Sequence, residues 1–412
     1  MQFIKIILVF FISLIISCQP VPTKTVIAPN YRSFDDGIGQ LANDLLNQLQ
    51  RKKSLLSRDI SLVVMNPFLD VDSGQVLQVS LDIEAKLIEE TKHFEQFFVS
   101  RITPKKLVKA QYILNGTIQY EANKTTPGKK HYQISAAIID LDTKIVVTKG
   151  TVNIVSPGLN YQPTPSYEDN PIYVKSKLLE HTIRTVKSSV GTQVHDDYYT
   201  FIATNALLVA AQTAYDNKDY PLAIRMFEEV TERPNGRMIE AYGGLYAVAF
   251  KLGDLAVAEK SFGQMVVLGI EKGKLPVKLL FQPKLTEFLE IPELRQQYTL
   301  WLRQISLYLK NHSDKCVQII GHTSQYGTYE YNKQLSKQRA DKIKELMSDT
   351  FPEIIHRSKT IGMGSDETIV GSKPDSAENA IDRRVEFKII DCAGAQSFSF
   401  GPKTISSVTN HP

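Results

Sequence analysis

Side chains that could bind a metal or carry out acid–base catalysis occur in this sequence, but their spacing matches no catalytic or metal-binding motif. The eight histidines are scattered, with neither a His-Glu-x-x-His nor a Cys-x-x-Cys arrangement. The run His195-Asp196-Asp197 stands before helical sequence, where acidic residues ordinarily stabilise the positive end of the helix. Gly37-Ile38-Gly39 lacks the third glycine and the preceding strand of a nucleotide-binding loop. We therefore expect no catalytic residue, no metal and no cofactor.

The first residues have the pattern of a removable export signal. A short start containing Lys5 is followed by an apolar run over residues 6–16 that only Ser13 interrupts. Because about 20 apolar residues are needed to cross a bilayer as a helix, this run is too short for a permanent membrane span. A positive start before about 7–15 apolar residues is typical of a signal that is cleaved after export.

The end of this run carries a more specific signal. Ile15-Ile16-Ser17-Cys18 resembles the cleavage box of bacterial lipoproteins, in which a small residue precedes the cysteine that becomes the new N-terminus. The resemblance implies a signal peptide over residues 1–17, acyl chains such as palmitate on Cys18, and a lipidated tether over residues 18–32. Gln19 rather than Asp follows the cysteine, which by resemblance to enterobacterial sorting favours the outer membrane. The alternative is an ordinary signal peptide with an incidental cysteine.

Residues 33–155 have the pattern of an α/β domain. Ser33 and Asp36 resemble a capping box ahead of apolar residues at helical spacing, which predicts a first helix. Helices and strands alternate early and an antiparallel meander ends the segment, which indicates an α/β layout. The predicted elements are helices that end near residue 50 and span about 77–97, and strands at 60–64, 112–118, 132–141 and 145–154.

Two stretches of this domain resemble periplasmic lipoprotein domains of the FlgO, CsgG and LpoB type. They are Ala110-Gln111-Tyr112-Ile113-Leu114-Asn115-Gly116 and the strand that leads into Asp140-Leu141-Asp142-Thr143. The resemblance implies a role in outer-membrane assemblies without enzymatic activity.

Residues 156–172 are rich in proline and predict an exposed linker, and residues 173–272 predict a helical segment. Two helix–turn–helix units in this segment reuse one pattern, with Ala223 and Ala258 at equivalent positions 35 residues apart. This period is close to the ~34 residues of tetratricopeptide repeats, although at least about three repeats are usually needed for a stable stack. A non-repetitive helical pair is the alternative.

Residues 273–392 combine strands, two helices and a polar loop. Its motifs are Gly321-His322-Thr323, Tyr331-Asn332, Arg339-Ala340, Gly362-x-Gly364 and Asp382-Arg383-Arg384-Val385-Glu386. Together they resemble the C-terminal domain of OmpA and Pal. The resemblance implies a βαβαββ fold, with helices on a four-stranded sheet, and binding of the diaminopimelate stem peptide of peptidoglycan.

The resemblance also assigns the ligand-binding residues. Arg339 matches the arginine that forks onto the ligand carboxylate, a bidentate geometry that only arginine provides. Ser324 stands where the family has the aspartate that pairs with the ligand ammonium, so we expect weakened peptidoglycan binding. The remaining candidates are Thr323, Asn332 and Arg383. A solvated helix residue is the alternative for Arg339, and a salt bridge at the start of the last strand is the alternative for residues 382–384.

Two cysteines remain besides Cys18. In the resembled topology the second and fourth strands are antiparallel neighbours, so Cys316 and Cys392 lie near one another and a disulfide is conceivable. The periplasm is oxidising, which favours it.

Length and composition agree with a multidomain α/β protein. The chain has 412 residues, 42% hydrophobic and 22% charged, and a formal net charge of +4. So small a charge predicts no nucleic-acid partner. The last segment, residues 393–412, is rich in Ser, Gly and Pro and predicts a disordered tail.

These observations predict a non-enzymatic lipoprotein on the periplasmic face of a Gram-negative outer membrane. The OmpA-like domain would link an envelope complex of flagellar or secretion-system type to peptidoglycan, while the α/β and helical segments bind other envelope proteins. One alternative is a degenerate OmpA-like module that serves only protein–protein interaction. Another is an activator of a cell-wall synthase, which the LpoB-like resemblance implies.

Overall fold

The computed structural model describes residues 30–53, 59–121, 130–172, 177–282, 284–288, 290–369 and 382–392. The described residues from Tyr31 onward belong to one compact unit. The export signal, Cys18 and the C-terminal tail lie outside the described residues. Within the described ranges, no helix is both long enough and apolar enough to cross a membrane.

The N-terminal part of the compact unit is an α/β domain. Ser33 accepts a hydrogen bond from the Asp36 N–H and so starts the first helix, whose apolar residues at helical spacing are buried. The elements are β1 (Tyr31–Arg32), α1 (Phe34–Lys52), β2 (Ser61–Met65), β3 (Leu69–Asp70), α2 (Gln78–Glu90), β4 (Phe97–Arg101), α3 (Pro104–Leu107), β5 (Tyr112–Glu121), β6 (Lys130–Asp140) and β7 (Ile145–Ser156).

The strands form one mixed sheet in the order β1-β7-β6-β5-β2-β4, with β3 paired to β5. Strands β5, β6 and β7 are the antiparallel meander, whereas β2 runs parallel to both β4 and β5. One face packs against α1 and α2, and Leu41, Leu45 and Ile138 belong to the hydrophobic core on this face. The other face, with Ile113 and Ile139, is equally apolar. A sheet with two apolar faces requires a second layer, which the next segment supplies.

The second predicted helix was wrong in its extent. Helix α2 ends at Glu90, and Phe97 lies in strand β4, which pairs with β2 in parallel register from Ser61 opposite Phe97. Phe97 and Val99 are buried while Phe98 is exposed. This is the alternation of a strand, and pairing with β2 outweighs the local helical spacing.

The helical segment contains two matched hairpins. Asp219 and Asp254 each accept a hydrogen bond from the backbone N–H three residues later and so start equivalent helices. Ala223 and Ala258 are fully buried at equivalent positions, which allows close helix approach. The helices are α4 (Pro165–Glu168), α5 (Lys177–Lys187), α6 (Asp196–Asp216), α7 (Tyr220–Glu232), α8 (Ile239–Leu252) and α9 (Leu255–Glu271).

The segment predicted as an exposed linker is packed into the fold. The Thr164 N–H donates to the Val76 carbonyl, and Ile172 forms a β-bridge with Val277 of the C-terminal sheet. Thr164, Ser166, Asn170 and Ile172 are all buried. Its prolines therefore mark turns of a packed connection between the α/β domain and the C-terminal sheet.

The C-terminal domain follows the order strand, helix, strand, helix, strand, strand, with one extra short helix. Its sheet order is β10-β9-β11-β8, in which β9 is parallel to β10 and β11 is antiparallel to both β8 and β9. The elements are β8 (Leu275–Val277), α10 (Pro292–Asn311), β9 (Lys315–His322), α11 (Tyr329–Ser348), α12 (Ile354–Arg357), β10 (Ser358–Gly364) and β11 (Val385–Asp391).

One hydrophobic core joins the helical segment to this domain. Trp301 of α10 stacks on Phe262 of α9 with 5.7 Å between ring centroids. Its Nε1–H donates to the hydroxyl of Tyr246 of α8 at 2.7 Å. All three side chains are buried. The helical segment and the C-terminal domain are therefore packed together and share one core.

Cys316 and Cys392 are joined in a disulfide. Cys316 lies in β9 and Cys392 directly follows β11, with 5.0 Å between their Cα atoms. The Cys392 N–H also donates to the Asp314 carbonyl at 2.8 Å. The bridge therefore fastens the ends of two neighbouring antiparallel strands.

The disulfide predicts a redox-dependent stability. It closes a loop between residues 76 positions apart, for which the chain-entropy model gives about 4 kcal/mol of stabilisation. We expect reductant to lower the free energy of unfolding by about this amount, and to have no effect on a variant with alanine at both positions. Peptide mass spectrometry after thiol labelling of the denatured, unreduced chain is the direct check. Labelled Cys316 and Cys392 would contradict the bridge.

Glu84 predicts a pH-dependent stability. It is 4% exposed on α2, with Arg101 Nε 3.5 Å from its Oε2. Burial raises the pKa of Glu84 from 4.5 to about 7, against the smaller opposing effect of Arg101. The folded state therefore binds the proton of Glu84 more tightly than the unfolded state does. The stability contributed by protonated Glu84 is present below about pH 4.5 and is lost as the pH rises through 7.

We expect Glu84→Gln to gain stability relative to the parent chain by about 2 kcal/mol between pH 5 and pH 8. The amide stays neutral, so it avoids the cost of burying a charge. Chemical unfolding across this pH range measures the difference, with the exposed Glu89→Gln on the same helix as control. Parallel pH profiles for Glu84→Gln and the parent chain would disprove the assignment.

Candidate functional site

The polar stretch over residues 321–328 covers the last two residues of β9 and the loop that leads to α11. Thr328 accepts a hydrogen bond from the Tyr331 N–H and so begins the helix. Gly327 has φ of +104°, in the region that favours glycine. A Cβ on Gly321 would lie 2.1 Å from the Ser336 carbonyl oxygen. The glycines of this motif therefore let α11 lie directly against the sheet.

The loop and the helix are tied together by hydrogen bonds. Asn332 Nδ2 donates to the Ser324 carbonyl at 3.4 Å, and the Thr323 N–H donates to the Gly364 carbonyl at 2.8 Å. The Gly364 N–H in turn donates to Ser336 Oγ at 2.9 Å. Arg339 lies two turns beyond Asn332 and one beyond Ser336, so all three project from the same side of α11. Of the predicted residues, Asn332 and Arg339 thus lie on one face of α11, and Asn332 connects that face to the loop at Ser324.

These side chains are removed from solvent. Thr323, Ser324, Asn332 and Arg339 are each at most 5% exposed, and Arg383 is half-buried. The Thr323 hydroxyl is buried with no hydrogen-bond partner in the described part of the chain. Buried hydroxyls without partners are uncommon and require an explanation, such as a ligand or an ordered water.

Arg339 is held by a segment that the sequence motifs do not include. Its Nε donates to the Leu285 carbonyl at 3.1 Å and its Nη2 to the Gln282 carbonyl at 3.2 Å. The guanidinium also lies over the ring of Phe281, 4.8 Å from its centroid. The solvated-residue alternative for Arg339 is therefore wrong. No periodicity or charge pattern in the sequence marks the carbonyls that accept these hydrogen bonds, because the contact uses backbone atoms.

The segment that holds Arg339 is a small hairpin between β8 and α10. Phe281 bridges to Phe288, and the Gln282 N–H donates to the Glu287 carbonyl at 2.8 Å. The Tyr331 hydroxyl reaches the Lys284 carbonyl at 3.4 Å. Arg339 and Tyr331, which both belong to α11, therefore contact the hairpin through its backbone carbonyls.

Arg339 is buried close to a second guanidinium. Burial, and after it the nearby Arg383, lower the pKa of Arg339 to about 10, and Tyr331 opposes this change. The side chain stays protonated at neutral pH. Among the described carboxylates, none lies within ion-pair distance of its guanidinium. Among the described residues its guanidinium donates only to neutral carbonyls, so it keeps further N–H donors for an anion.

The three residues of the neighbouring Asp382-Arg383-Arg384 motif have different interactions. Arg384 Nε donates to Glu386 Oε1 at 2.8 Å, and Asp382 accepts the Ile369 N–H at 2.5 Å. Burial works to raise the pKa of Glu386, but the Arg384 guanidinium with its hydrogen bond and the more distant Lys274 contribute to a net downward shift. The salt-bridge alternative thus holds for Arg384, whereas Arg383 is the member that acts on Arg339.

His322 shows the same buried environment. Burial lowers the pKa of His322 to about 4, with Arg384 contributing in the same direction. The imidazole is therefore neutral at physiological pH and adds no charge to the site. In the ranges that the structure covers, no group of three or more His, Cys, Asp or Glu side chains is arranged to hold a metal ion.

Residues 290–382 match the model of the OmpA family. Among solved structures, the peptidoglycan-associated lipoprotein of Burkholderia pseudomallei is 25% identical, with a TM-score of 0.24, over 27% of this chain and 88% of that one. An outer membrane protein of Borrelia burgdorferi is 24% identical, with a TM-score of 0.22, over 29% and 88%. The cell wall anchor of the type VI secretion system of Pseudomonas aeruginosa is 22% identical, with a TM-score of 0.23, over 29% and 80%.

A comparison with curated proteins found no match. The resemblance of residues 33–155 to FlgO, CsgG and LpoB domains and the tetratricopeptide resemblance stay predictions. The family match shows what the motifs implied for the C-terminal part: this chain carries an OmpA-like domain.

Proposed function

We propose that this protein is a non-enzymatic outer-membrane lipoprotein that links an envelope protein complex to peptidoglycan. Lipid on Cys18 would hold one end of the chain, and the OmpA-like domain would hold the cell wall at the other. The complex would be of flagellar or secretion-system type, bound through the α/β and helical segments. The match of residues 290–382 to the OmpA family supports the wall-directed end.

The observation that carries this proposal is the position of Arg339. Two backbone carbonyls orient its guanidinium from one side. An arginine has five N–H donors, so three remain without a partner in the described structure. This guanidinium lies beside the Thr323–Ser324 loop and is already oriented. It can therefore bind a carboxylate of the stem peptide with little further loss of side-chain entropy.

The packing of the chain supports the tethering role. The α/β domain, the helical segment and the OmpA-like domain form one compact unit, so a partner bound to one part is held at a fixed position relative to the wall site. Joining weak contacts on one molecule raises their combined strength through local concentration. A modest wall contact is therefore sufficient when many copies act in one complex.

The protein-interaction alternative has one observation in its favour. The carbonyls of Gln282 and Leu285 already use two donors of Arg339, as a purely structural arginine would. On this alternative the hairpin replaces the ligand, and the domain offers only its outer surface. A groove of about 830 Å³ between α9 and the start of α10, with exposed Leu255 and Ile291, is the kind of surface that it would use.

Co-sedimentation with purified peptidoglycan sacculi separates the two functions. We expect the wild-type chain to pellet with sacculi, and Arg339→Gln to lose at least about tenfold in affinity because the charged fork is removed. Arg303→Gln on α10, whose side chain is 45% exposed, is the matched control and should bind like the wild type. Thermal unfolding of each variant confirms that it is folded.

Ser324→Asp is the complementary variant. It introduces a carboxylate that can pair with the ligand ammonium, so retention on sacculi should increase. Absence of wild-type retention, or equal loss by Arg339→Gln and Arg303→Gln, would refute wall binding and favour the protein-interaction alternative.

A further inference from the structure

Three exposed tyrosines lie together at the start of α11. Tyr326, Tyr329 and Tyr331 are 68%, 55% and 42% exposed and fall within six consecutive residues. Among the residues that the structure describes, the only other exposed Phe, Tyr or Trp side chain is Phe98 in the α/β domain. Exposed aromatic residues that gather in one place mark interaction sites, whereas scattered ones need no explanation.

Two of these rings are held in place by neighbouring groups. The Tyr331 hydroxyl donates to the Lys284 carbonyl at 3.4 Å, and the Tyr331 N–H donates to the Thr328 side chain that begins the helix. Lys333 Nζ lies over the ring of Tyr329, 5.5 Å from its centroid. Binding a ligand to rings that are already ordered costs little side-chain entropy.

The three rings are separate from one another. Within the described ranges, no ring contact joins any two of them. Tyr329 and Tyr331 are two positions apart in α11, so their side chains project about 200° apart around the helix axis, and Tyr326 lies in the preceding loop. The centre of a protein interface requires one contiguous, desolvated patch. A glycan instead presents separate apolar ring faces divided by polar groups, which fits separate aromatic rings.

We infer that Tyr326, Tyr329 and Tyr331 bind sugar rings of the peptidoglycan glycan strand. The C–H groups on one face of a pyranose pack against the electron-rich face of an aromatic ring. The phenol hydroxyls exchange hydrogen bonds with sugar hydroxyl and acetamido groups. The inference rests on the proposed function, because it names a second component of the polymer that the same domain would hold.

The positions of the rings suit a ligand that also reaches the peptide site. Ser324 lies two residues before Tyr326, and Asn332, which donates to the Ser324 carbonyl, directly follows Tyr331. Arg339 is seven residues beyond Asn332, about 10 Å along the helix axis. Two amino acids separate diaminopimelate from the sugar and span a comparable length when extended. A peptide at Arg339 would therefore bring its own sugar to the tyrosines, where effective concentration strengthens both contacts.

The test compares two ligands that differ only in their sugars. One is L-Ala-γ-D-Glu-meso-diaminopimelate capped on its N-terminal amine with a lactoyl group. The other carries the same peptide on the disaccharide of N-acetylglucosamine and N-acetylmuramic acid, so the two ligands have equal charge. Calorimetric titration of the full wild-type chain should show the disaccharide-peptide binding about fivefold more tightly.

The variants assign this difference to the rings. Tyr326→Ala combined with Tyr329→Ala should abolish the preference and leave the affinity for the lactoyl peptide unchanged. The corresponding pair of phenylalanine substitutions keeps the rings and should retain most of the preference. Phe98→Ala removes an exposed ring of the α/β domain, so this matched control should bind both ligands like the wild type.

The outcomes separate the inference from the proposed function. Equal affinity of the wild type for both ligands would overturn the inference and leave the peptide site standing. A double alanine variant that keeps the preference would also overturn it, since the sugars would then bind elsewhere. Binding of neither ligand would remove the inference together with the proposed function.

Discussion

The structure depends on one helix that is buried on nearly every side. Thirteen of the 21 residues of α6 are buried, and apolar side chains surround its axis. Such a helix cannot be stable at a surface. It lies instead between the second apolar face of the N-terminal sheet and the helices α7 and α8. The α/β domain therefore has no complete core without the helical segment.

Polar groups fix the position of this helix. The Tyr198 hydroxyl accepts a hydrogen bond from Asn115 Nδ2 at 3.1 Å, and Asn205 Nδ2 donates to Asn66 Oδ1 at 3.0 Å. Asn66 and Asn115 are bonded to each other at 2.7 Å within the sheet. A buried network of this kind is costly when any member is displaced, so it favours one register of helix on sheet. Through Tyr246 and Trp301 the same packing reaches the OmpA-like domain.

Much of this fold was accessible from sequence because its signals are local. The N-cap at Ser33, the apolar spacing of α1 and the meander of β5 to β7 can each be predicted from residues that are close together in the sequence. Strand β4 was missed because its conformation depends on pairing with β2, which the local pattern does not contain. The packed linker was missed for the same reason, since Ile172 is buried by contact with Val277, a residue far along the chain.

The candidate site also has features that the sequence predicts and features that it does not. Arg339 and Ser324 were identified because a family motif places them, and the structure brings their elements together. The hairpin that orients Arg339 could not be predicted, because Gln282 and Leu285 contribute backbone carbonyls and their side-chain types are irrelevant. The orientation of this arginine is therefore apparent only once its neighbours in the folded chain are known.

Direct capture of the ligand in living cells tests the central claim. Tyr326 is 68% exposed in the loop that leads into α11, so a photo-crosslinking amino acid at position 326 can react with whatever occupies the site. A second probe at position 255, in the groove beside α10, reports on protein partners. We expect adducts at position 326 whose mass decreases on muramidase digestion, because they contain peptidoglycan. The mass of adducts at position 255 should not change. Adducts at position 326 that contain only protein and resist the muramidase would contradict the central claim.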